Sequence, residues 1–131
     1  MMDRRIIITA ALFGIIAIIL GAFGAHALKK LISPEAIVTF EVGVRYQMYH
    51  ALFLLFLATN SKIQEKTKKG ILILTIFGVI FFSGSIYFLA TNDLTSFDFK
   101  RIGLITPIGG LLLMVAWGWL LIDLLKNKKQ N

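Results

Sequence analysis

The sequence predicts an all-α membrane protein: a four-transmembrane-helix antiparallel bundle, one domain over residues 1–131, with the N and C termini cytoplasmic. Three observations predict it. Four apolar runs, helices at about 6–28, 34–59, 70–90 and 102–125, each reach the roughly 20 residues needed to cross about 30 Å of hydrocarbon. The linkers between them are short and polar, which makes successive helices antiparallel neighbours. Basic residues also fall unequally on the two sides. Arg4, Arg5, Lys62, Lys66, Lys68, Lys69, Lys126, Lys128 and Lys129 occupy the N-terminus, the second loop and the C-terminus, against Lys29, Lys30, Lys100 and Arg101 in the other two loops. Positive loops stay on the cytoplasmic side, so both termini are expected there.

Composition agrees. The chain is 57% hydrophobic and 16% charged, with mean hydropathy +0.80, against about 45–50% apolar and about 25% charged for a soluble domain. One domain of this length cannot bury that much apolar surface in its own core, so the excess faces lipid. The net charge of +7 reads as cytoplasmic loops rather than a nucleic-acid surface. There is no cysteine, which excludes disulfides, thiolate metal sites and thiol nucleophiles.

The first helix follows MMDRR and ends near Ala25-His26-Ala27, a pattern that resembles a signal peptide with its cleavage site. Its apolar run exceeds the 7–15 residues usual for such a segment, so it is expected to be a permanent helix. Ala10, Gly14, Ala17, Gly21 and Gly24 alternate at spacings of four and three, placing small residues on one stripe. That stripe is expected to pack another helix, the alternative being a glycine-lined substrate path. Ser33-Pro34-Glu35 supplies an N-cap, a first-position proline and a first-turn acid, and starts the second helix.

The second helix carries most of the candidate chemistry. Glu41, Arg45 and Tyr49 share one face, with Glu41 four residues before Arg45 in the favourable order for an ion pair. Gly43, Tyr46, Gln47 and His50 fall on roughly the opposite face. Polar groups inside a bilayer default to a functional hypothesis, yet the Glu41–Arg45 pair reads equally as a structural lock between helices. His26 ends the first helix on the outer side. The loop from Asn60 to Lys69 is expected to be an exposed basic turn, and 91–101 a mixed-charge outer loop. Ser83, Ser85 and Tyr87 belong to the outer part of the third helix, and Thr106 to the outer start of the fourth. Pro107 is expected to kink the fourth helix because it lacks an N–H for the preceding turn, with Gly109 and Gly110 loosening it further. Trp117 and Trp119 are expected to pack or to mark an interface, and Asp123 to reach water. Intramembrane polar residues thus concentrate in the outer half, which suggests an outward-facing pocket closed below by apolar packing.

No catalytic motif occurs. HExxH, CxxC, GxSxG and Walker patterns are absent, no metal is expected, and His26 and His50 stand at different depths, unsuited to a shared haem iron. The chain is expected not to be an enzyme and to need no cofactor.

GAFGAHALK at Gly21–Lys29, RYQMYHAL at Arg45–Leu52, FFSGSIY at Phe81–Tyr87 and TPIGG at Thr106–Gly110 together resemble the family of domain of unknown function 423 (UPF0382). Ala27 departs from the glycine expected after GAFGAH, a change of packing more than chemistry. The resemblance implies a small four-helix inner-membrane protein and supplies no established activity, so no catalytic residue is transferred. Function is therefore expected from the residues alone. The first expectation is a multi-pass cell-membrane protein that binds or conducts a small solute, ion or lipid headgroup through its outward pocket, as a homo-oligomer. The alternatives are a structural or assembly partner of another membrane protein, and a quinone- or haem-associated factor.

Overall fold

The computed structural model describes residues 2–128; Met1 and residues 129–131, which include Lys129 of the basic C-terminus, lie outside the described residues. Four long helices form: α1 Met2–Ala25, α2 Pro34–Thr59, α3 Glu65–Ala90 and α4 Ile105–Lys128. Short 3-10 turns at Leu28–Lys30, Asn92–Leu94 and Phe99–Ile102 complete the far hairpins. No strand occurs among the described residues. Three stretches are long and apolar enough to cross a membrane: Met2–Lys30, Glu65–Ala90 and Phe99–Asn127. At 26 residues α2 has the length, about 39 Å at 1.5 Å per residue, but Arg45, Gln47 and His50 dilute its hydropathy.

The start of α2 follows from its cap. Ser33 is extended and its Oγ accepts the Ala36 N–H at 3.1 Å, Pro34 takes the first position, and Glu35 complements the helix dipole. The start of α3 departs from expectation. The helix begins at Glu65 rather than near residue 70, because Glu, Lys and Gln are good helix formers and a membrane helix does not stop where its apolar residues do. The exposed basic turn is therefore shorter than expected, and Lys68 lies on a packed helical face.

Pro107 does not sit where it could kink α4. That helix begins at Ile105, so Pro107 falls in its first turn, where the first N–H groups have no intrahelical acceptor in any case. Distortion occurs in α3 instead. Ile80–Gly84 forms one π-helical turn, and the Phe82 carbonyl takes the Ser85 hydroxyl at 3.0 Å. Directly opposite is Gly109, where an added Cβ would come within 2.3 Å of the Phe82 nitrogen, while a Cβ on Gly78 would meet Leu113 at 2.6 Å. Two glycines thus let the backbones of α3 and α4 touch beside the widened turn.

Contacts run chiefly between α1 and α2 and between α3 and α4, with α2 and α3 joining the two hairpins. At the end that carries both termini, Ile6, Leu54, Leu57, Ile71, Ala116 and Leu120 build an apolar core from all four helices. At the far end a smaller group gathers Leu28, Phe40 and Ala90. Ala10, Ala17 and Gly24 form the buried seam of α1. Gly21 would meet only Val44, at 3.4 Å, and nothing lies within 4 Å of a Cβ on Gly14, so Gly14 is not part of a tight contact.

Candidate functional site

The polar residues of α2 divide by helical angle into a buried set and an exposed set. Gly43, Gln47 and His50 recur at spacings of four and three and face the other helices. Gln47 is 4% exposed. Its Nε2 donates to the Phe13 carbonyl of α1 at 2.9 Å, and its Oε1 accepts the Tyr87 hydroxyl of α3 at 2.7 Å. One amide therefore ties three helices. Ser83 donates to the Gly43 carbonyl at 2.7 Å, an approach that a side chain at 43 would obstruct, since its Cβ would lie 2.7 Å from the Tyr87 ring. The same ring packs on Phe40 with centroids 5.0 Å apart.

His50 joins α2 to α4. Its Nε2 lies 3.0 Å from the Trp117 indole nitrogen and its Nδ1 lies 2.7 Å from the Tyr46 carbonyl. An indole N–H only donates, so Nε2 is the acceptor and the proton resides on Nδ1, which donates a hydrogen bond to the Tyr46 carbonyl. The imidazole is held as one neutral tautomer. Ser85 and Thr106 share a hydroxyl–hydroxyl bond between α3 and α4, next to Gly110, whose added Cβ would make only ordinary contact with Phe82 at 3.5 Å.

The second set faces away from the bundle. Glu41 and Arg45 approach to 3.7 Å, but their side chains are 45% and 62% exposed. Tyr49 and Tyr46 are exposed beside them with rings edge-on at 5.6 Å, Tyr46 also leaning on Phe82 at 5.0 Å. His26 is exposed at the end of α1, where Ala25, Ala27, Lys29 and Lys30 surround it in an open depression. The expected pocket thus does not gather these residues. Neighbouring helices cover one side of α2 and satisfy its polar groups, and the charged side is left uncovered.

A third polar group lies at the end with the termini, where no motif in the sequence marks it. Lys68 is buried, its side chain 3% exposed; Nζ donates to Asp3 at 2.8 Å and to the Ala58 carbonyl at 3.2 Å, joining α3 to α1 and α2. Thr67 donates to Asp123 at 3.0 Å, and Asn127 bonds both Asp123 and the Lys62 carbonyl. Asp123, expected in water, is partly buried and bonded within the chain. The signal was present: Lys68, Leu72, Thr75 and Val79 follow helical spacing, so extending α3 back to Glu65 places Lys68 on the buried stripe. Thr75 on that stripe is fully buried with its hydroxyl unpartnered.

Among the described residues no group of three His, Cys, Asp or Glu could hold a metal ion. The hydroxyls of Ser83 and Ser85 go to Gly43, Phe82 and Thr106, and none of their hydrogen bonds reaches His50. What the geometry provides is adhesion between helices on one side of α2 and a displayed ion pair on the other.

Residues 20–110 match the family model described as protein of unknown function (DUF423). A UPF0382 membrane protein of Staphylococcus saprophyticus is 40% identical over 120 residues, covering 92% of this chain and 96% of the relative. The UPF0382 membrane protein YwdK of Bacillus subtilis is 36% identical over 124 residues, covering 92% and 95%. The UPF0382 inner membrane protein YgdD of Escherichia coli K12 is 32% identical over 134 residues, covering 100% and 97%. No solved structure matches the chain. Family model, relatives and apolar helices agree: the chain belongs to the DUF423 (UPF0382) family and is a multi-pass protein of the cell membrane.

Proposed function

We propose that this protein acts by assembly: it is a non-catalytic membrane component that docks to membrane protein through the uncovered face of α2, with both termini in the cytoplasm. One observation carries the reading. The inward polar groups Gln47, His50, Ser83 and Tyr87 bond within the chain, whereas Glu41 and Arg45 remain exposed.

Depth makes that exposure costly. Close approaches of Gly21 to Val44 and Gly24 to Phe40 set the register of the antiparallel α1–α2 pair and put Arg45 level with Leu20. That is about 8 Å inside the end of α1 at 1.5 Å per residue. Acyl chains offer no hydrogen bonds there, and charged groups at such levels generally face protein or water. The orientation is supported by the sequence's nine basic residues at the end with the termini, counting those in the first turns of α3, against four in the far loops.

A photo-reactive residue at Leu52, on the same face, and another at Ile19, on the exposed face of α1, test the reading in native membranes. Protein adducts from position 52 and lipid adducts from position 19 are expected; lipid adducts alone from both would overturn it. A second reading, binding of an anionic solute or lipid headgroup, draws support from the open depression around His26, Lys29 and Lys30.

A further inference from the structure

The uncovered face of α2 has a pattern as well as a charge. Val38, Arg45, Tyr49, Leu52 and Phe56 are all exposed, at successive spacings of seven, four, three and four. A 3.5-residue repeat keeps one stripe facing a second helix along a left-handed crossing. Such spacing is common to any exposed helix face; what a stripe meant only for lipid has no need of is an ion pair within it.

We infer that the occupant of this face is a second copy of the same chain, its α2 packed parallel against the first about a two-fold axis along the membrane normal. The inference rests on the assembly reading and names its partner. Charge complementarity selects the copy. Each chain brings one acid, Glu41, and one base, Arg45, to the same stripe one turn apart, so in a parallel two-fold pair each Arg45 stands level with its counterpart and about 6 Å along the axis from Glu41 of the other copy, a turn that its long side chain spans. Four charges then form alternating pairs in place of two left exposed. The pair within one chain is long at 3.7 Å, which leaves donors and acceptors on both groups for a neighbour. Tyr49 and the apolar Leu52 and Phe56 continue the same contact below the charges. The exposed face of α1 has the same spacing at Ile8, Leu12, Ile15 and Ile19 but no ion pair, only aliphatic surface suited to acyl chains.

Two experiments in native membranes test this. The chain has no cysteine, so Val38→Cys, Leu52→Cys, Phe56→Cys and, as control, Ile19→Cys each introduce one. Mild oxidation is expected to give a covalent dimer from the three α2 sites and none from position 19. Absence of dimer at every α2 site, or equal dimer from position 19, overturns the inference. An α2 photo-adduct to a protein of different mass overturns self-docking while leaving the assembly reading in place, whereas lipid adducts alone overturn both. In the second experiment, Glu41→Lys and Arg45→Glu are each combined with Leu52→Cys. Either alone turns the stripe to a single sign and is expected to lose most of the dimer. Co-expressed with distinguishable tags, the two are expected to cross-link to each other and recover it. Failure of the mixed pair to recover, with both variants present in the membrane, overturns the pairing.

Discussion

Trp117 donates its indole N–H in a hydrogen bond to Nε2 of His50 at 3.0 Å, from α4 to α2. Neither aromatic spacing nor helical angle announces a partner 67 residues away. The bond turns a histidine that invites a metal or proton-relay reading into a fixed link in the bundle. Trp117→Phe keeps the ring packed on Phe53, centroids 4.3 Å apart, but leaves the buried Nε2 without a donor. A loss of about 1–3 kcal/mol is expected, read as a lower unfolding temperature in detergent. Nitrogen NMR of labelled His50 is expected to show the Nδ1–H tautomer in the parent, with that preference relaxed in the variant.

Gln47 bonds α1 and α3 together, whereas Tyr87 meets it through one hydroxyl. Gln47→Leu should therefore destabilise more than Tyr87→Phe. Interhelical hydrogen bonds in membranes contribute roughly 0.6 kcal/mol on average and up to about 1.7, so the first change is expected near the top of that range and the second near its middle. The double variant should lose less than the sum of the singles, because one bond is shared. Additive losses in a double-mutant cycle would place the two side chains apart.

Lys68 and Asp3 form an asymmetric pair, 3% and 44% exposed. Asp3→Ala leaves a buried ammonium with only the Ala58 carbonyl, while Lys68→Met leaves a carboxylate that water can reach. The aspartate variant should be the less stable of the two. Its loss should fall below the roughly 3–5 kcal/mol typical of breaking a fully buried pair. Adding Lys68→Met to Asp3→Ala is expected to restore much of the stability, as measured by thermal unfolding.

The α3–α4 contact gives a paired glycine test. A methyl at Gly109 would press on the Phe82 backbone nitrogen at 2.3 Å, and backbone cannot swing aside; a methyl at Gly14 meets nothing within 4 Å. Gly109→Ala is expected to cost about 1–3 kcal/mol or more through overpacking. Gly14→Ala should be neutral or slightly stabilising, because alanine favours helix. Folded yield and melting temperature of the two variants compare them directly.

These residues show which features the sequence makes legible. The bounds of α2 follow from Ser33-Pro34-Glu35, because capping is local chemistry. The start of α3 does not, since apolarity marks the hydrocarbon and not the helix, and Lys68 was hidden by that difference. The π turn at Ile80–Gly84 leaves the hydrophobic pattern almost unchanged and answers to Gly109 on another helix. Helical angles separate Glu41, Arg45 and Tyr49 from Gln47 and His50, yet they do not say which side the bundle covers. Depth alone groups the polar residues and suggests a pocket; side-chain contacts divide those of α2 between two opposite surfaces.

The displayed face of α2 is the centre of the account, and its proximity to a second copy is directly measurable. Nitroxide labels at Leu52→Cys in lipid bilayers, on helices packed about 8–10 Å apart, are predicted to give strong spin–spin broadening that disappears on dilution with unlabelled protein. Labels at Ile19→Cys are predicted to give none. Equal and unbroadened spectra at both positions, at the same protein density, would contradict it.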